Sequence, residues 1–462
     1  MTKQAKSRRL GTPEFLNDVI ETLAERGRAV LGMKPLREAE SDRELDLLGE
    51  ALLSRRGEAS GVAIAESLLA AFDRAPRSEH LKFLLSLADR FGPDRRATEV
   101  AIAAFQRASE ESHSQLEALH QATEPRRQEL IRRLNLAPGG TASLVRMREV
   151  LLSLLSDHLE LRPVDDDFVH LFSSWFNRGF LVLRPIDWNT PANILEKIIK
   201  YEAVHAIQDW DDLRNRLEPA DRRCYAFFHP SLTDEPLIFV EVALTTTIPA
   251  AIGPLLDRSR DTIDASAANT AVFYSISNTQ KGLAGVSFGN FLIKQVVQDL
   301  VRELPKLKTF VTLSPVPGFA SWARRELKSE TSLALDDPAR SALIAIEQGV
   351  ASEHMRGALT SLAAYYFLRA KNSAGKPVDP VARFHLGNGA RLERLNFLAD
   401  PSEKGMKQSF GLMVNYLYAV DDIEANHEAF AERGSVVASD IVKRTLRASP
   451  SSRELVPAAR ST

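Results

Sequence analysis

The sequence predicts two parts, an all-helical bundle over residues 1–160 and an α/β domain over residues 161–462. Three observations carry this. Apolar residues in the first third recur at helical spacing only. From about Leu181 onward, short β-branched and aromatic runs alternate with helical stripes. A chain of 462 residues also exceeds what one small core organises.

The elements follow in order. Thr12 caps a first helix with Pro13 at its first position, followed by Phe15, Leu16, Val19, Ile20 and Leu23. Ser41 and Glu44 have capping-box spacing before Leu45, Leu48 and Leu52. Apolar stripes run over residues 62–72, 81–91 and 100–105, with Ala75-Pro76 and Gly92-Pro93 as punctuation. Helical patterns continue over 116–134 and 144–159, and short connections between them suggest an antiparallel bundle. The pattern changes near Arg162-Pro163. Strands are expected at 181–183, 224–228, 237–245, 271–277 and 309–314. A helix capped by Thr190-Pro191 should run through Ile194, Ile198 and Val204. Others are expected at 288–304, 339–346 and 355–368, with a last surface helix at 438–447.

Composition narrows the function classes. Hydrophobic residues at 44% and charged residues at 26% lie in the ordinary globular range. A formal charge of −2 offers no basic footprint, so no nucleic-acid partner is expected. No run of about 18 uncharged apolar residues occurs, so no membrane span is expected. Cys224 stands alone, which excludes an internal disulfide and a cysteine-rich metal site. A single cysteine fits a reducing cytoplasm, the expected location. Lys3, Lys6, Arg8 and Arg9 precede the first acid, Glu14, without an apolar face; this reads as a solvated tail rather than a transit peptide. The C-terminal residues carry no Ser-Lys-Leu address.

Four segments carry candidate chemistry. Residues 278–289 form a glycine-rich loop after a strand, with Gly282, Gly285 and Gly289 allowing close backbone approach. The helix that follows would aim free amides at a pyrophosphate or an oxyanion. The bland reading is a tight β-to-α connection that uses glycine for packing. The spacing matches neither the dinucleotide fingerprint nor the P-loop. Gly285-Val-Ser-Phe-Gly289 has the form of a nucleophile elbow, but the β pattern stops near Ser277 instead of running into Ser287. Ser287 is therefore read as lining the ligand site. Ser314 closes a β run ahead of Pro315 and Pro317, which hold its backbone at low entropic cost; taken locally, a turn cap explains it as well. His385 precedes Gly387-Asn388-Gly389 and is the default acid/base group. His205, His229 and His354 compete with it locally. No histidine pair has metal-ligand spacing. Residues 411–418 read as a strand on which Asn415, Tyr416 and Tyr418 offer donors, or on which the tyrosines merely sit at an edge. A cradle, a hydroxyl and an imidazole suit a coenzyme A thioester.

Together, residues 273–297, 313–319, 384–400 and 411–418 resemble the malonyl-CoA decarboxylase family, with weaker support from 201–205 and 224–229. The resemblance covers most of the chain after Leu181. It implies an N-terminal helical bundle used in assembly and a catalytic domain like the GNAT acetyltransferase fold. It implies Ser314 of the Ser-Pro-x-Pro-Gly turn and His385 of the Phe-His-Leu-x-Asn-Gly segment as catalytic residues. Coenzyme A and thioester contacts are implied at Ala284, Gly285, Val286, Ser287, Phe288, Gly289 and Asn290. Some relatives carry glutamate where Ser287 stands, which weakens a nucleophilic role there. Ser275, Gln280, Gly282, Asn415 and Tyr418 complete the expected substrate-binding set.

The implied reaction converts malonyl-CoA to acetyl-CoA and carbon dioxide. It needs no metal or prosthetic group, because the thioester carbonyl is the electron sink. The implied partners are malonyl-CoA, acetyl-CoA and further copies of the chain in a tetramer built from dimers. An N-acetyltransferase on the same scaffold would need an amine site and a base. A Ser-His thioesterase would need an acid behind His385. A non-catalytic acyl-CoA sensor would need neither.

Overall fold

The computed structural model describes residues 44–54, 57–107, 113–286 and 292–448. The expected basic tail and the caps at Thr12 and Ser41 lie outside them. So do Ser287, Phe288, Gly289 and Asn290. The chain forms two compact units. The first takes residues up to Val182 together with Phe228–Glu235 and the loop that starts at Gln280. The second takes the remainder.

The first unit is built from helices. Glu58–Arg74, Arg126–Leu134 and Gly140–Leu154 pack on one another and on Arg162–Trp175. Leu68, Leu84, Leu130, Leu144, Leu151, Phe168 and Phe172 fill the core. Two sequence expectations need correction here. The stripe over 116–134 is not one helix: Pro125 ends His113–Thr123 and precedes Arg126–Leu134, because proline cannot continue a helical ladder. The change of pattern at Arg162-Pro163 does not end the helical run. Pro163 sits in the first turn of Arg162–Trp175, where its missing N–H costs nothing.

The second unit holds an eight-stranded sheet in the order β1-β2-β3-β4-β5-β8-β6, with β7 paired to β8. The strands are β1 Val182–Ile186, β2 Arg222–Phe228, β3 Pro236–Thr245, β4 Thr270–Asn278, β5 Thr309–Thr312, β6 Ser314–Pro315, β7 Arg391–Asn396 and β8 Met413–Leu417. β3 and β4 are antiparallel over nearly their full length. The register slips between Glu241 and Val242, which face Ser275 and Phe273, so Tyr274 is an extra residue on β4. β4 and β5 are parallel, from Thr270 opposite Thr309 to Phe273 opposite Thr312. β8 lies inside the sheet, paired with β5, β6 and β7, so Tyr416 is not an edge residue; Tyr418 follows the strand's end. Val272, Tyr274, Val311, Leu313 and Met413 pack with Ala243, Ile252 and Ala399 beneath this junction.

Two local features shape the surroundings of the junction. The helix expected to reach Val204 ends at Tyr201. Glu202 Oε1 accepts the amides of Val204 and His205, each at 2.7 Å, and turns the chain out of the helix. The segment that carries His385, given no element from sequence, is the helix Pro380–Gly387, followed by the turn at Asn388-Gly389. Asp379 caps it by accepting the Ala382 amide at 2.7 Å, with Pro380 at the first position. Among the described residues no helix is long and apolar enough to cross a membrane.

The two glycines after His385 differ in what they do. Gly389 has φ +82°, and a Cβ there would lie 2.1 Å from the Ile423 carbonyl oxygen. A Cβ on Gly387 would meet only the Phe430 ring at 3.8 Å. Gly389→Ala should therefore cost at least about 1–3 kcal/mol in urea unfolding, and Gly387→Ala well under that. Equal costs would show that the turn does not discriminate between them.

Candidate active site

Beyond Phe273 and Thr312 the parallel pair parts. β4 continues to Asn278, whereas the chain after β5 turns at Leu313 into β6, whose partner is β8. The opening is a cavity of about 250 Å³. Phe273, Ile276 and Asn278 of β4 form one wall, and Ser314 and Pro315 of β6 another. Val204, Pro380, Val381, Phe384 and His385 complete it. The walls are largely apolar, and Ser314, His385 and Asn278 are polar side chains among them.

Ser314 and His385 meet. Ser314 Oγ lies 3.1 Å from His385 Nε2 and donates to Thr312 Oγ1 at 2.8 Å. On the other side of the ring, His385 Nδ1 lies 2.8 Å from the Tyr418 hydroxyl. Tyr416 stacks on the imidazole with ring centres 4.6 Å apart. The ring is buried, and burial alone pushes the His385 pKa down to about 3. Burial also raises the Tyr416 and Tyr418 phenols well above their ordinary range. The group of side chains is therefore uncharged at neutral pH. A neutral imidazole has one N–H and one acceptor nitrogen, so Tyr418 and Ser314 face nitrogens of opposite role.

The competing histidines do not line this cavity. His205 is half-buried, and the loss of solvent around its ring lowers its pKa to about 4. His229 is bonded to the Trp175 carbonyl at 3.1 Å.

The remaining expected substrate contacts fall in different places. Ser275 is buried, and its hydroxyl donates to Glu202 Oε2 at 2.7 Å instead of facing the cavity. Asn415 is also turned inward. Its Oδ1 accepts from Arg394 at 3.0 Å and Asn396 at 2.8 Å, and its Nδ2 donates to the Thr312 carbonyl at 2.8 Å. Both were expected to contact substrate; here their polar atoms are engaged by Glu202, Arg394, Asn396 and the Thr312 carbonyl, which spacing alone does not show. Tyr418 bonds the catalytic candidate His385, a position one step behind the one expected.

In the first unit, Gln280 Nε2 lies 3.4 Å from Glu235 Oε2. Gly282 is buried, and a Cβ on it would come within 1.9 Å of the Val145 carbonyl oxygen. Its glycine is thus required by packing on the helix Gly140–Leu154, the bland reading of that position. Val286 is buried, whereas Ala284 and Gly285 are exposed. Gly285 has φ +79° and open space where a side chain would stand. Asn278, Val204, Val381 and Phe384 line the cavity without belonging to the expected site set. Asn278 reads in sequence as the start of the glycine loop, and the others become neighbours only through folding.

Two family descriptions match the chain: the malonyl-CoA decarboxylase N-terminal domain over residues 91–176 and the C-terminal domain over 179–456. A mitochondrial malonyl-CoA decarboxylase of Anser anser anser is 36% identical over 402 residues, covering 79% of each chain. The mouse protein is 34% identical, covering 79% of this chain and 81% of its own. A crystal structure of malonyl-CoA decarboxylase from Rhodopseudomonas palustris is 62% identical with a TM-score of 0.85, over 88% of this chain and all of the other. That from Agrobacterium vitis is 58% identical with a TM-score of 0.83, over 87% and 99%. With both domains matched in order and over most of its length, this chain belongs to the malonyl-CoA decarboxylase family.

Proposed function

We propose that this protein decarboxylates malonyl-CoA to acetyl-CoA and carbon dioxide, with Ser314 and His385 orienting the carboxylate. The observation that supports this most is the Ser314–His385 contact at the wall of a largely apolar cavity, backed by a tyrosine at the second nitrogen. In a Ser-His hydrolase a buried carboxylate holds the imidazole so that Nε2 is free to take the serine proton. Here the group at Nδ1 is a phenol. Among the described residues, Nδ1 is the hydrogen-bond acceptor within reach of the Tyr418 hydroxyl, so we assign the phenol as its donor. Nε2 then carries the proton and donates to Ser314 Oγ. A serine that receives a hydrogen bond from histidine is not activated for attack, which disfavours the thioesterase reading.

The reaction follows from this arrangement. Ser314 and His385 hold the malonyl carboxylate out of the thioester plane, so the breaking C–C bond overlaps the carbonyl π system. The bonding pair moves into the thioester as carbon dioxide leaves. Ser314, His385 or a water they hold then gives a proton to the enolate carbon. Apolar walls favour loss of charge from the carboxylate. The loop from Gln280 to Gly285 takes the diphosphate in this reading. Backbone amides at Ser287 to Asn290, outside the described residues, take the developing oxyanion, where one donor is typically worth about 3–4 kcal/mol. A GNAT-like catalytic domain is part of the proposal, supported by the parallel β4–β5 pair that parts at the cavity.

Ser314→Ala and His385→Ala should each lower kcat at least about 100-fold while leaving coenzyme A affinity nearly unchanged. The double variant should be little worse than the poorer single one, because the two act as a unit. Product masses should show acetyl-CoA and no acylated serine. An acylated Ser314 peptide, or free coenzyme A as the product, would falsify this mechanism.

The pH dependence has a defined sign. His385 is neutral in the folded protein down to about pH 3, so the kcat profile should show no His385 step between about pH 5.5 and 8. Its folded pKa lies below the unfolded value of about 6.5, so stability is full above that pH and falls as pH drops from about 6.5 toward 3. His385→Asn should flatten that fall in pH-dependent urea titrations. An unchanged slope would place the ring in contact with water.

We also propose self-association through the helical unit, to a tetramer of paired dimers, in a cytoplasmic setting consistent with the lone buried Cys224. The helices Arg95–Arg107 and His113–Thr123 bury no residue and expose Val100, Ile102 and Leu116. Light scattering should report a tetramer for the wild type and a smaller species for Val100→Asp/Leu116→Asp. A wild-type monomer at micromolar concentration would contradict it.

A further inference from the structure

The helical unit contains one buried cation with an unusual duty. Arg148 lies in the middle of the helix Gly140–Leu154, and its side chain is almost wholly enclosed. Its Nε donates to Asp165 Oδ1 at 2.8 Å. Its Nη1 donates to two carbonyls of the glycine loop, Gly282 O and Ala284 O, both at 2.8 Å. A buried guanidinium is costly unless its donors are satisfied. Asp165 balances the charge, and the two other acceptors are main-chain oxygens of the loop, so the Nη1 donors are satisfied only when the loop is in this conformation.

The consequence for the loop follows from peptide geometry. In a trans peptide the C=O of one residue and the N–H of the next point in opposite directions. With Ala284 O drawn to Arg148, the Gly285 N–H is aimed away from it. The neighbouring amides are occupied within the loop: Leu283 N donates to Gln280 O, Ala284 N to Lys281 O and Val286 N to Leu283 O, each at 3.0 Å. Among the described residues none accepts from Gly285 N. The left-handed φ of Gly285 and the close seat of Gly282 on Val145 belong to the same arrangement. A guanidinium bonded to the carbonyl side of a peptide also polarises it and makes its N–H a better donor to an anion.

We infer that Arg148 is a positioning residue for the coenzyme A diphosphate. It fixes and polarises the Ala284–Gly285 peptide so that the Gly285 N–H is presented to the anion. This rests on the reading that the loop takes the diphosphate, and it gives the helical unit a part in substrate affinity besides assembly.

The test compares kcat/KM for malonyl-CoA and for malonyl-pantetheine, which has the same thioester without the diphosphate. Arg148→Met/Asp165→Asn removes the ion pair without leaving a lone buried carboxylate. It should shrink the preference for malonyl-CoA over malonyl-pantetheine about tenfold or more, the scale of one charge-assisted hydrogen bond. The loss should appear in KM for malonyl-CoA rather than in kcat. Arg148→Lys, which keeps the charge but has one nitrogen to serve both the loop carbonyls and Asp165, should shrink the preference less. A general structural defect would lower both substrates in parallel and leave the ratio unchanged, and that result would overturn the inference. So would an unchanged ratio in a folded Arg148→Lys and double variant, or unfolding of both, which would make Arg148 a strut of the core. Gly285→Val separates the two layers of the argument. If it shrinks the ratio while the Arg148 variants do not, the loop reading stands and Arg148 has no part in it. If Gly285→Val leaves the ratio intact, the loop reading itself fails.

Discussion

The second unit depends on the parting of β4 from β5. Parallel strands normally continue side by side until both end, since each unpaired buried amide has a cost. Here β5 stops at Thr312 while β4 goes on to Asn278, still paired on its other edge with β3. The gap this leaves is the cavity. Everything that lines it is placed by that divergence: Ser314 begins β6 because the chain leaves β5's line, and the helix Pro380–Gly387 brings His385 to the wall opposite β4. The added residue at Tyr274 sits where the strands begin to part, as bulges do near sites where a sheet changes direction.

Burial then determines what the imidazole can do. An exposed histidine beside a serine would titrate near neutrality and change role with pH. His385 is enclosed by Tyr416 and Phe384 and bonded on both nitrogens, so its cationic form is too costly to hold. Decarboxylation makes sense of this choice. The substrate brings a negative charge that must be dispersed, and a permanent cation would stabilise the ground-state carboxylate more than the charge-delocalised transition state. Neutral donors can orient a carboxylate without holding its charge in place. The enclosure has its own support in Glu202, which ties the Val204 segment to Ser275 and Ser277 of β4 and so fixes the far wall.

Much of this was legible in the sequence, and the exceptions have physical causes. The sequence pattern located β2 to β5 and the helices Asp337–Glu347 and Arg356–Leu368 closely, because β2 to β4 are apolar runs buried on both faces and the helices carry apolar stripes. Ser314 and His385 were named from their surroundings of proline and glycine together with family resemblance. The helix that carries His385 was not seen: Pro380 and Asp379 are start signals, but a helix of two turns buries too few residues to show a stripe. The bonding partners of Ser275 and Asn415 were hidden for a different reason. Whether a strand hydroxyl or amide faces a ligand or a neighbouring carboxylate depends on Glu202 and Arg394, residues distant in sequence. Arg162-Pro163 misled because proline both ends helices and begins them.

Glycine shows most clearly how one residue type serves unlike ends in this chain. The sequence argument treated Gly282 and Gly285 together as a ligand cradle. The structure divides them. Gly282 is glycine because the Val145 carbonyl occupies the volume of a side chain, and Gly285 is glycine because its backbone is left-handed with open space beside it. Gly282 is therefore the anchor and Gly285 the presented group, with the peptide carbonyls between them drawn to one buried arginine. The amides of Leu283, Ala284 and Val286 are spent on holding the loop in place, and that of Gly285 is not. A cation on the carbonyl side of the Ala284–Gly285 peptide leaves that N–H free and strengthens it. The helical unit supplies that cation from the middle of the helix Gly140–Leu154, where the side chain is enclosed by the core.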